Sequence, residues 1–232
     1  ATTVGFLTIF LTIGVWNSKQ GQAIKWVRWL GAGALIAVIL QGLLGGLTVK
    51  MLLPASVSIG HAVLGQTFFC ITIAIVYATS SHYQVPFFEK GSLGTSYSKK
   101  LAWAAYVQLF LGAAIRHTGT HVWAHIMGAF FVFYFAFRLF ATASAEKKSV
   151  SSSGREFFFL SLLILAQVLL GIAAYVLRLE SLVLDTPPAF YPAIRTFHQT
   201  SGGLILAVSF WLALRENMRY RPGGSIDPVA TI

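Results

Sequence analysis

Residues 29–49 read WLGAGALIAVILQGLLGGLTV, without one charged side chain. A helix rises 1.5 Å per residue, so about 20 apolar residues cross the roughly 30 Å hydrocarbon layer of a bilayer. This run has that length, and basic residues fence it: Lys25 and Arg28 before, Lys50 after. Working outward, residues 57–79 and 157–176 meet the same requirement. Four shorter apolar runs, 1–16, 101–115, 122–137 and 198–213, accompany them. The internal ones reach spanning length by taking in flanking Thr, Gly, His and Arg, as helix ends do among headgroups. The chain is 56% hydrophobic and 10% charged, whereas a soluble domain carries charge on about a quarter of its residues. The expected fold class is all-α transmembrane, with seven spans in sight.

A net charge of +10 would also suit nucleic acid, but a nucleic-acid binder gathers its charge on a soluble surface, and here the loops carry it. Thirteen Lys and Arg fall in one alternate set of loops, around 19–28, 90–100, 138–155 and 215–221; the other set holds Lys50, Arg116, Arg178 and Arg195. The positive-inside rule puts the first set in the cytoplasm. The expectation is a multi-pass protein of a bacterial inner membrane with its C-terminus inside, the lipid bilayer as its partner and no nucleic acid. Ala1 then begins outside, on an apolar run without a basic leader region or cleavage pattern, so a first helix is expected upstream of it. The one cysteine, Cys70, lies within an apolar span, and the chain alone builds no disulfide or Cys-based metal site.

The longest cytoplasmic connection, near 80–100, contains Pro86, Gly91 and Gly94. It divides the chain into an N-terminal half-bundle (1–80), a connecting loop (81–100), a four-helix bundle (101–216) and a cytoplasmic tail (217–232). The sequence repeats across that divide. Gln41-Gly-Leu-Leu-Gly45 resembles Gln167-Val-Leu-Leu-Gly171, and each is followed by a Pro-containing outer loop and a His, His61 and His198. A weaker third copy is Gln108-Leu-Phe-Leu-Gly112, followed by His125. Repeats of this kind mean related bundles with equivalently placed sites; Gln and Gly also serve ordinary helix packing.

Five of the six histidines, His61, His117, His121, His125 and His198, fall at the outer side, and His82 in a cytoplasmic loop. Three of them have small residues one turn deeper on their own helix: Gly65 after His61, Gly128 and Ala129 after His125, Gly202 and Gly203 after His198. Residues three and four apart share a helix face, so a porphyrin ligated by such a histidine would find room there, and haem iron favours imidazole in bundle cores. Plain helix packing explains the small residues as well. His117, His121 and His125 are spaced to chelate Zn or Cu on a continuous helix, but Gly119 points to a turn between two spans. Arg116 or His117 has the chemistry to meet a haem propionate, and an Arg among headgroups is the alternative.

The elements 41–49 with His61, 111–119 with His125, and 167–171 with His198 together resemble the haem A synthase family over nearly the whole chain. The resemblance implies eight spans in two pseudo-repeated four-helix bundles, of which this chain shows the last seven. It implies that His125 and His198 ligate the iron of haem b, and that His61 is one of the pair where haem O or its product haem A resides. It also places the other N-terminal histidine and a catalytic carboxylate in the segment before Ala1, so no catalytic residue is identified within the chain. Loop cysteines found in many members are absent, and the 116–125 loop is shorter than usual.

Two functions are thus expected in competition. The first is an oxidoreductase of haem biosynthesis that converts the haem O methyl group to the formyl group of haem A, with haem b relaying electrons. Its implied partners are haem O synthase and cytochrome oxidase assembly factors. The second is a non-catalytic dihaem b-type cytochrome or haem-binding subunit of a respiratory complex, since fold alone does not separate the two. A transporter with a midplane site fits poorly, because the spans hold almost no charge at depth.

Overall fold

Short turns and helix caps set how the chain runs. The computed structural model describes residues 2–23, 25–80, 92–145, 154–184, 188–220 and 226–228. They form α1 (Thr2–Asn17), a single-turn α2 (Lys19–Ala23), α3 (Lys25–Lys50), α4 (Ala55–Thr79), α5 (Leu93–Thr118), α6 (Val122–Ala145), α7 (Gly154–Leu184) and α8 (Tyr191–Asn217). Two three-residue strands, β1 (Met218–Tyr220) and β2 (Ile226–Pro228), pair antiparallel after α8, with Arg219 opposite Asp227. Part of the expected C-terminal tail is therefore a small hairpin.

Among the described residues five helices, α3, α4, α6, α7 and α8, are long and apolar enough to cross a membrane. The expected seven included α1, which has only 16 helical residues, and α5, which has 26 but carries Lys99, Lys100, Gln108, Arg116 and His117 along its length. The start of α5 also differs from expectation. Residues 93–100, read as connecting loop, are helical because Ser92 caps them, its side chain accepting from the Thr95 amide at 3.3 Å. Such a cap contributes about 1 kcal/mol.

The surface has the inverted character of a protein dissolved in lipid. Trp29, Trp103, Trp123, Phe6 and Phe130 lie on the outside, while Ala34, Ala74, Ala78, Ala102, Ala105 and Ala136 lie between helices. Small residues let backbones approach where lipid offers no hydrophobic drive to association. One buried cluster joins α5, α6, α7 and α8 around Leu101, Leu139, Leu160 and Leu206; a second joins α1, α3 and α4 around Val27 and Ile75. Tyr77 of α4 meets Trp211 of α8 edge to face at 5.2 Å between ring centres, and Thr67 of α4 hydrogen-bonds Tyr106 of α5 at 2.6 Å. α8 is the most enclosed of the long apolar helices and α7 the most exposed.

At the basic end a buried ion cluster closes the bundle. Arg215 Nε donates to Glu216 at 2.9 Å, and Arg215 lies 3.7 Å from Glu156 of α7. Read from sequence, Arg215 counts among the cytoplasmic loop charges at the end of the four-helix bundle; in the fold Arg215 and Glu216 are each 2% exposed.

Candidate functional site

The turns that close the hairpins bring the histidines to one end. After α3, Leu53 N–H bonds back to Thr48 at 2.7 Å, with Leu52 and Leu53 at positive φ, and Pro54 starts α4. After α5, Gly119 adopts φ +72 and caps Ile115, and His121 follows at φ +65 before α6. That break removes the continuous helix on which His117, His121 and His125 would chelate a metal. Among the described residues no group of three or more His, Cys, Asp and Glu gathers around a metal-sized site.

Each of the three hairpins then repeats one interlock. On α3, Gly45 faces His61 of α4: a methyl placed on it would stand 3.2 Å from His61 Cε1. Gly112 of α5 faces His125 of α6 at 3.3 Å by the same measure, and Gly171 of α7 faces His198 of α8 at 3.0 Å. One turn before each glycine, the glutamine reaches the same histidine. Gln41 Nε2 and Gln167 Nε2 lie 3.5 Å from His61 Nε2 and His198 Nε2, and Gln108 Nε2 donates to the His125 carbonyl at 2.9 Å. The glutamine in turn rests on the small residue one turn deeper on the histidine's helix: Gln41 on Gly65, Gln108 on Gly128, Gln167 on Gly202. Ser201 donates to Gln167 Oε1, fixing the α7–α8 copy further.

This corrects the sequence-based reading of the glycines. Gly65, Gly128 and Gly202 bed the neighbouring glutamine and do not offer open room beside their own histidine. The residues that touch the imidazoles are Gly45, Gly112 and Gly171, already visible in the Gln-x-x-x-Gly repeat but without an assigned role. Ala129 is exposed, and Gly203 looks toward Gln66. The Gln108 copy, the weakest in sequence, shares the glycine contact and the glutamine bed with the others, but its glutamine bonds the His125 backbone carbonyl and not the ring.

Two of the predicted residues are brought together. The rings of His125 and His198 lie 6.2 Å apart between centres, with their planes at 71°. Metal–imidazole bonds of about 2 Å, plus roughly 1 Å from ring nitrogen to ring centre, set two opposite ligands of one ion about 6 Å apart. A directly packed edge-to-face pair falls in an overlapping range, about 4.5–7 Å. His61, His125 and His198 each have a buried Nδ1 without a hydrogen-bond partner among the described residues. Buried polar atoms in that state cost about 1–3 kcal/mol each unless something satisfies them. Either imidazole nitrogen serves as a metal ligand, so the donor set and its glycine beds fit haem iron.

The remaining predicted residues stand apart. No second histidine faces His61 among the described residues, His121 is exposed in the turn, and His117 ends α5 half-buried. His82 lies outside the described residues. Sequence reasoning missed two ties at this end: Arg116 Nη1 donates to Gln199 Oε1, and Arg178 Nη2 donates to the Gly119 carbonyl at 2.6 Å. Both join residues more than fifty positions apart, which no local pattern signals. Comparison of the chain with protein-family models, with curated proteins and with solved structures gives no match.

Proposed function

We propose that this chain is a haem-binding membrane oxidoreductase of the haem A synthase type, oxidising the methyl group of haem O to the formyl group of haem A. His125 and His198 are the axial ligands of one haem b, and His61 supplies one ligand at the site of haem O or haem A. The observation that carries the reading is the 6.2 Å His125–His198 pair, each ring with an unpartnered buried nitrogen. It is supported by the resemblance of the 41–49, 111–119 and 167–171 elements to that family. A bis-imidazole haem has no open coordination position and supplies electron transfer. The chain's own part is to hold the imidazoles: glycines set how closely each ring packs, Gln41 and Gln167 lie against the rings of His61 and His198, Gln108 anchors the backbone of His125, and the apolar helices exclude water.

In this reading the helices form two pseudo-repeated bundles, the second comprising α5 to α8. The histidine end faces outward across a bacterial inner membrane and the C-terminus faces the cytoplasm, a reading supported by the distribution of Lys and Arg. The closing experiment is extraction of the haems from purified protein and their chromatographic identification. Haem A or haem O beside haem B supports the synthase. Haem B alone refutes it in favour of a dihaem cytochrome.

A further inference from the structure

One helical turn outward of the imidazole pair, two arginines converge. Arg116 is four residues beyond Gly112, the residue against His125, and so lies on the same face of α5 about 6 Å further out. Arg195 is three residues before His198 on α8, on the same face and about 4.5 Å further out. Arg116 is tied across to Gln199, the neighbour of His198, and Arg195 lies four residues before Gln199 on the same face of α8. Arg195 lies over the Tyr191 ring, 5.3 Å from its centre. No carboxylate among the described residues forms an ion pair with either arginine; the ion pairs there are those of Arg215. The corresponding positions around His61 are Val49 and Ser58, so the cationic rim belongs to one site and not to the repeat as such.

We propose that Arg116 and Arg195 are the anion-binding rim of the His125/His198 site and hold the two carboxylates of the porphyrin bound there. This rests on the haem reading above. Guanidinium groups match carboxylates with paired, directional donors. Placed one turn above the ligands, they fix which edge of the macrocycle points outward, a choice that two axial imidazoles leave open. The α3–α4 site, with Val49 and Ser58 in their place, holds its porphyrin without that clamp.

The test uses haem-free protein in phosphatidylcholine nanodiscs, titrated with haem b and with its dimethyl ester, which keeps the iron and ring but has no free carboxylate. Wild type is expected to bind haem b at least tenfold more tightly than the ester at the bis-histidine site. The Arg116→Gln/Arg195→Gln double variant is expected to bind the two equally, and Arg116→Lys/Arg195→Lys to keep most of the preference. Arg178→Gln, whose guanidinium is committed to the Gly119 carbonyl, is expected to behave as wild type. The same preference in wild type and the Gln double variant overturns the proposal. So does a wild-type preference that vanishes when phosphatidylglycerol replaces phosphatidylcholine, because the arginines then serve lipid headgroups. If wild type forms no bis-histidine spectrum with either porphyrin, the haem reading itself has failed, an outcome distinct from loss of the preference alone.

Discussion

A methyl group added at Gly171 probes the interlock most sharply. The new carbon would stand 3.0 Å from His198 Cε1 and 3.6 Å from Nδ1, where ordinary carbon contacts lie at about 3.5–4.0 Å. The imidazole must therefore retreat by about half an ångström, and it cannot do so freely, because Gln167 presses on Gly202 one turn below and is held by Ser201. Overpacking of this kind costs about 1–3 kcal/mol, which is roughly 5- to 150-fold in the affinity of whatever His198 ligates. The glycines provide their own scale. Gly45→Ala and Gly112→Ala meet their histidines at 3.2 and 3.3 Å and should cost less, while Gly46→Ala meets nothing within 4 Å and should be neutral. The assay is haem titration of each purified variant, followed through its low-spin absorption, with thermal stability of the haem-free protein alongside. If Gly171→Ala binds haem as Gly46→Ala does, the interlock does not position the ligand.

If the charge distribution sets the orientation as proposed, single cysteines replacing Lys50, Arg178 and Arg195 should label from the periplasmic side, and those replacing Lys90, Lys147 and Arg219 from the cytoplasmic side, with mixed accessibility within either group as the contrary result. At the basic end, Arg215→Ala removes the guanidinium that Glu216 and Glu156 face in the buried cluster. Removing one member of a buried ion pair costs about 3–5 kcal/mol, so the variant should lose a large part of its thermal stability, and an unchanged melting temperature would contradict the burial of the cluster.

Sequence carried the apolar helices well, because lipid selects long uncharged runs that need no tertiary context to be seen. It failed where polar residues extend a helix. Residues 93–100 are helical through a Ser92 cap and backbone bonds that hydropathy does not register. The histidines and the Gln-x-x-x-Gly spacing were legible, including the third copy. The partner of each glycine was not, since spacing shows which residues share a face but not which face the neighbouring helix presents. Arg215 likewise read as a loop charge, because its burial depends on Glu156, Glu216 and the packing of α7 against α8. The Arg116–Gln199 tie spans 83 residues and arises only when α5 and α8 are assembled.

The central claim is that His125 and His198 ligate one iron from opposite sides. The direct measurement is electron paramagnetic resonance of the oxidised, haem-loaded protein, read on the signal of a low-spin bis-histidine haem. His125→Ala and His198→Ala should each abolish the signal of this site, and His82→Ala should leave it intact. Retention of a normal bis-histidine signal in both His125→Ala and His198→Ala would contradict the account.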